Sequence, residues 1–239
     1  MHKHPLFKRS TALFLALCFL VLLNWNCGSK FSFGSLDEGK IIYDVTFPFD
    51  ADNPYINIYP SEMTYIFKDG KVKITLASFA EVVTSEFIID NNDRTFNQYF
   101  KVFDDKYRLQ LNDRGVEDMV NTLPALSLKS TEEHDSLAGY LCNKTMATFL
   151  NSPGESISLY HTAAIDMDCP NWCNQYSSIS EVLMSYEIEQ FGKRMRLVAR
   201  EVNYEEISDD EFIEPQGFTD VNMAEMKGHI ETLLSDFDD

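Results

Sequence analysis

The sequence predicts a mainly β, α+β fold: a single curved antiparallel sheet covered by a short internal helix and a C-terminal amphipathic helix. Three observations carry this. From residue 39 onward, strand-length runs alternate apolar and polar side chains and follow one another as hairpins. Only Asn112–Leu123 and the stretch after about Asp220 show helical spacing instead. An alternating sheet also leaves one apolar face bare, and helices are needed to cover it.

The plainest element is Glu62–Ala77, two alternating runs joined by Asp69-Gly70. That dipeptide favours a two-residue type I′ turn, which sets the register. Phe67 then opposes Val72, Tyr65 opposes Ile74 and Met63 opposes Leu76 on one apolar face. Lys68/Lys71, Ile66/Lys73 and Thr64/Thr75 fall on the other. A slip by one residue would turn every side chain to the wrong face, so pattern and turn support one another.

Before this hairpin, Gly39–Phe47 keeps Ile41, Tyr43, Val45 and Phe47 on one parity and reads as a first strand. The Pro- and Asn-rich stretch 48–60 reads as a loop. After the hairpin, Ser85–Asp90, a turn at Asn91-Asn92-Asp93, Thr95–Phe100 and Lys106–Leu111 continue the sheet. Val116, Met119, Val120 and Leu123 mark the internal helix, and Leu126–Leu137 reads as polar strand or loop. Gly139–Leu150 and Glu155–His161 flank Asn151-Ser152-Pro153-Gly154 as a second hairpin. Leu183–Phe191 and Lys193–Tyr204 make a third, turning at Gly192.

In that last strand the apolar parity changes between Met195/Leu197 and Val202/Tyr204, which predicts a β-bulge near Val198–Arg200 and a bent strand. The terminal helix, with Thr219 or Asp220 as its expected cap, aligns Met226, Ile230, Leu233, Leu234 and Phe237 in one stripe. The total comes to nine or ten strands, with no internal repeat.

At 239 residues with a net charge of −18, the chain suits one large domain. Its surface is too acidic to favour nucleic acid as a partner. Lys3, Lys8 and Arg9 precede an apolar run, Thr11–Leu23, too short to span a bilayer and suited to a signal peptide. That run ends at Asn26-Cys27-Gly28-Ser29, which resembles the acceptor site of a bacterial lipoprotein. The expected organisation is therefore a signal peptide (1–26), a tether (27–38) lipidated at Cys27, the sheet domain (39–218) and the terminal helix (219–239). The expected address is the cell envelope, anchored in the membrane and facing the periplasm, with plain secretion as the alternative.

Gly39-Lys-Ile-Ile-Tyr-Asp-Val, Phe67-Lys-Asp-Gly-Lys-Val72, Ala138-Gly-Tyr-Leu-Cys-Asn-Lys144, Met195-Arg-Leu-Val-Ala-Arg200 and Phe212-Ile-Glu-Pro-Gln-Gly-Phe218 occur in this order. The set resembles uncharacterised Gram-negative envelope lipoproteins that carry a domain of unknown function. Those proteins are similar in architecture to the lipoprotein carriers of the Lol type. The resemblance covers roughly residues 39–218 and implies an unclosed half-barrel wrapped around helices that gate an apolar cavity. It brings no catalytic residues with it, and fold-level analogy does not define function.

The chain holds no metal-protease, nucleophile-elbow, phosphate-loop or dinucleotide motif, so neither catalytic residues nor a cofactor are assigned. His134 lies in an acidic run and reads as surface. His161 shares parity with Ile157 and Leu159 and reads as a core histidine. Cys169 and Cys173 are the expected disulfide in an oxidising envelope, with Cys142 pairing to either as the rival. Cys142, His161, Cys169 and Cys173 also form a loose Cys₃His set, the basis of a weaker reading as a metal-dependent hydrolase. The apolar hairpin face is the expected cavity wall: Met63, Tyr65, Phe67, Val72, Ile74 and Leu76, faced by Met223 and Met226 of the terminal helix.

These features predict a non-enzymatic, membrane-tethered protein that binds a lipid-like or other hydrophobic ligand in its half-barrel. The alternative is a structural or interaction module of an envelope complex, with a protein partner in place of the ligand.

Overall fold

The computed structural model describes residues 37–78, 81–190 and 193–235, apart from the side chains of Ile58 and Gln190. The expected signal peptide, Cys27 and most of the tether lie outside the described residues, as does Phe237. Residues 35–239 form one compact unit. Among the described residues no helix is long and apolar enough to cross a membrane.

Eleven strands form two antiparallel meanders: β1 (Glu38–Thr46), β2 (Glu62–Lys68), β3 (Lys71–Ser78), β4 (Val83–Asp90), β5 (Thr95–Val102) and β6 (Asp105–Leu111), then β7 (Leu126–Leu137), β8 (Tyr140–Phe149), β9 (Ser156–Thr162), β10 (Val182–Gln190) and β11 (Lys193–Asn203). β1 pairs with β2 on one side and β11 on the other, which fuses the meanders into one sheet. A short twelfth strand, β12 (Thr219–Asp220), pairs parallel to β6, so the order runs β12-β6-β5-β4-β3-β2-β1-β11-β10-β9-β8-β7. The sheet does not close, and β12 and β7 are its edges.

Its curvature follows from the chain path. β6 and β7 lie ten strand intervals apart, about 48 Å if the sheet were flat. Residues 112–125 join them, and eight of those residues form the helix α1 (Asp113–Val120). A helix of that length advances about 12 Å, and six extended residues add about 20 Å. The edges must therefore curl toward each other. In keeping with this, β7 approaches β11 within 8 Å between Cα atoms, although three strands separate them in the sheet.

The β2–β3 hairpin has the expected register, with Asp69 and Gly70 both at positive φ in the turn. The bulge sits at Arg200: Ile42 pairs with Glu201 while the next residue, Tyr43, pairs with Ala199. This moves the inward parity from Leu197 and Ala199 to Val202. Asn112 caps α1, its side chain accepting from the Gly115 N–H at 3.0 Å, and Val116 is buried.

Leu126–Leu137 takes the strand alternative, an edge strand whose exposed Lys129, Glu132, Glu133, His134 and Asp135 guard it against pairing with another chain. Three features differ from the expectation. The sheet has twelve strands where nine or ten were expected. Thr219 and Asp220 do not cap the terminal helix α2 (Met223–Ser235), because they are spent on β12. Asn222 caps it instead: its side chain accepts from Glu225 N–H at 3.0 Å, and Glu225 accepts from Asn222 N–H at 2.8 Å. This is a reciprocal capping box. Thirdly, α1 and α2 do not cover the apolar face alone, since residues 163–181 share the task.

Candidate functional site

One face of the sheet is continuously apolar. Ile41, Tyr43 and Val45 on β1, Met63, Tyr65 and Phe67 on β2, and Val72 and Leu76 on β3 are buried together with Phe87, Ile89 and Phe96. Ile74 is half-buried against the same cluster. α1 adds Val116, Met119 and Val120. The six hairpin residues expected to wall a cavity therefore do share one buried face.

The terminal helix lies elsewhere. Met226 and Ile230 are buried against Phe100 and Leu109 of β5 and β6, with Met223 half-buried beside them. The imidazole of His229 stacks on Tyr107 at 3.7 Å. Met223 and Met226 thus face the β5–β6 end and not the hairpin. The short link through β12 holds α2 to that edge.

What covers the hairpin face is the connection between β9 and β10, residues 163–181, a segment without strand or helix. It inserts Ile165, Met167, Trp172 and Cys173 into the main core and Tyr176 and Ile179 into the adjoining cluster on β8, β9 and β10. Side chains hold it in place. Trp172 Nε1–H donates to Asn91 Oδ1 at 2.8 Å, and Asn91 donates onward to the Asp168 carbonyl at 3.1 Å. The Tyr65 hydroxyl donates to the Met167 sulfur at 3.3 Å; beyond the plug, the Tyr43 hydroxyl donates to the Leu183 carbonyl of β10 at 2.7 Å. Arg94 lies over the Trp172 ring, 5.0 Å from its centroid.

Beneath this plug remains a cavity of about 50 Å³, lined by Tyr43, Tyr65, Ile74, Asn91, Cys173 and Tyr186 among others. Small-molecule sites usually enclose about 300–1,000 Å³, so the space as it stands is too small for a lipid chain. Burial pushes the phenols of Tyr43 and Tyr65 well up and the Cys173 thiol up to about 12. The wall presents neutral hydroxyls and a protonated thiol at physiological pH.

A polar chain closes the neck of the plug. His161, in β9 just before it, meets Glu181, its last residue, Nδ1 to Oε2 at 2.5 Å. The Thr145 hydroxyl lies 2.9 Å from His161 Nε2, and Asn143 donates to both Glu181 carboxylate oxygens at 3.1 and 3.3 Å. Asn171 donates to the Ile179 and Glu181 carbonyls at 2.7 and 2.9 Å. This hydroxyl–imidazole–carboxylate order matches that of hydrolytic triads. Thr145, however, is buried at 4% exposure and does not line the cavity.

The other cysteine-based expectations part here. Cys142, Cys169 and Cys173 are free thiols, so the Cys169–Cys173 bridge is not formed. Cys169 takes a φ of +49° and is exposed, whereas Cys173 turns inward behind Trp172. Nor does the Cys₃His set assemble, because both His161 nitrogens are engaged by Thr145 and Glu181. Among the described residues no group of three or more His, Cys, Asp or Glu is placed to hold a metal ion.

Asn91, Asn171, Trp172 and Glu181 escaped the sequence reading. The one available signal was the gap itself: some twenty residues between His161 and Leu183 without periodicity, longer than ordinary connections and carrying Trp172 and Tyr176.

No protein-family model matches the chain, and no curated protein does. Two solved structures, titled as structures of PNGF-II in space groups C2 and P21, are similar at 15% and 16% sequence identity, each with a TM-score of 0.51. The match covers 81% of this chain and 32% or 33% of theirs, so the chain spans about a third of their length. Likeness at this identity concerns the fold alone. These structures are not Lol-type carriers, and the resemblance to that group rests on the sequence segments only.

Proposed function

We propose that this is a non-enzymatic envelope protein, lipid-anchored at Cys27 and facing the periplasm, that binds a hydrophobic ligand on the face now covered by residues 163–181. The observation carrying this reading is the cover itself. An apolar face on an open sheet is closed by a long irregular segment, held by single side-chain hydrogen bonds, with a hollow left beneath it. Ordered connections of that length usually have a task. Entry of a ligand requires the plug to lift, and the energies allow an exchange. Uncovering Ile165, Trp172, Tyr176 and Ile179 costs about 6–12 kcal/mol, while burying an acyl chain of about fifteen methylenes returns about 12 kcal/mol.

Residues 35–239 contain one tryptophan, Trp172, at the centre of the plug. Titrating this unit with monomeric palmitate should therefore give a saturable red shift of tryptophan emission, with a one-to-one complex in native mass spectrometry. An unchanged spectrum together with no retained ligand would overturn the proposal. The small cavity favours one second reading, an interaction module whose sheet packs dry. In that case cross-linking in native membranes yields a protein neighbour and no lipid.

A further inference from the structure

The two ends of the sheet differ in what their turns carry. At the end where β1 begins, the tight turns are Asp69-Gly70, Asn91–Arg94 and Ala138-Gly139, all small or polar apart from the Arg94 stem. At the opposite end the connections are 47–61, 79–82, 103–104, 150–155 and 191–192, and among their described residues three carry an exposed Phe or Leu: Phe49, Phe103 and Leu150. Phe49 is 70% exposed, Phe103 64% and Leu150 57%, with Tyr55 of the first loop at 45%. Among the described residues the remaining exposed large apolar ones, Leu141, Tyr204 and Ile213, lie on no tight turn.

Phe103 shows that this is not mere tolerance. It occupies the first position of a two-residue hairpin turn, between paired Val102 and Asp105, at a φ of +53°. Turns of this kind favour Gly, Asn or Asp there, and a bulky aromatic is sterically disfavoured. A backbone outlier of this sort points to a role for the side chain it presents.

We infer that this rim of turn tips docks into the interfacial layer of a zwitterionic lipid bilayer. The described tips run from the β5–β6 turn to the β8–β9 turn, across about eight strand intervals or roughly 40 Å of arc. A protein pocket would need one contiguous patch, whereas separate side chains on one rim each enter a fluid apolar layer independently. Phe and Leu side chains insert at the headgroup–acyl boundary, and Tyr favours the headgroup level. Charge selects the lipid. Asp52, Glu81, Asp104 and Asp105 are exposed among the tips, and the nearby Lys193 and Arg194 are paired with Asp50 and Glu155. Anionic headgroups are therefore repelled. The contact is independent of the ligand proposed above and of an anchor at Cys27.

Flotation of residues 35–239 with phosphatidylcholine vesicles tests this without the leader or Cys27. The unit is expected to float with the vesicles, equally at low and high salt, and less when phosphatidylserine is added. Replacing Phe49→Ser, Leu150→Ser and Phe103→Asn together should lower the vesicle affinity about tenfold or more. Phe103→Asn alone should weaken binding while raising the melting temperature, because Asn suits the turn; a purely structural role would not separate the two. Absence of flotation, or flotation unchanged in the triple variant, overturns the proposal. So does a rim-dependent dimer in sedimentation, which would assign the rim to a second copy.

Discussion

The β2–β3 hairpin and the 163–181 plug touch each other, Tyr65 to Met167, yet their order has opposite origins. In the hairpin, backbone ladders, a two-residue turn and side-chain alternation all specify one register. Each of these contacts is close in sequence. The plug has no strand, only an isolated bridge at Ile165. Its partners lie 77 residues away at Asn91–Asp168, 81 at Asn91–Trp172 and 102 at Tyr65–Met167. Within the plug itself only short-range bonds such as those from Asn171 to the Ile179 and Glu181 carbonyls add to these, and a region tied to the sheet mainly by remote side chains has a lower free energy of local opening than one held by ladders.

The sharpest way to break this comparison is Trp172→Ala. It removes a 9%-exposed indole and leaves Asn91 Oδ1 without its donor. A loss of about 3–5 kcal/mol is expected in urea unfolding. Hydrogen exchange should rise across 163–181 while 62–77 stays protected. Equal loosening of both regions would show that the plug is integral to the sheet.

A smaller effect is expected from Gly70→Ala, which tests the local side. Gly70 sits at a φ of +78°, and an added Cβ would stand 2.6 Å from Asn92 Nδ2. The cost should be about 1–2 kcal/mol, read as a lower midpoint in urea with Trp172 emission of the native state unchanged.

The smallest effect is electrostatic. The segment after β11 is tied to the sheet by Asp209 to Lys68 at 2.9 Å and Asp220 to Arg108 at 2.6 Å. Hydrogen bonds from those cations hold both carboxyls below the ordinary value of 3.8. Their contribution is complete above that value and is lost as pH falls through the lower folded ones. Acid should therefore lower the protection factors of 205–222, taken against the intrinsic exchange rate at each pH, while leaving those of 62–77 unaffected. The change should be modest, because both carboxylates are exposed and solvent screens them.

Much of this architecture was legible from residue order. The three hairpins, α1 with its apolar stripe and the bulge at Arg200 each follow from a turn dipeptide or a change of parity. β12 was not legible, since Thr219-Asp220 has the chemistry of a helix cap and only the nearness of β6 makes it a strand. The Thr145–His161–Glu181 chain was hidden as well. His161 reads as a core histidine, and nothing along the chain brings Glu181 to one nitrogen and Thr145 to the other.

By itself the sequence determined the antiparallel ribbon, its registers and the side it hides from water, because alternation and turn geometry act over a few residues. The tertiary structure alone decided what lies on that hidden side. An irregular segment carries no period, and its place is chosen by shape, by hydrogen bonds across the sheet and by the curvature that brings distant strands within reach.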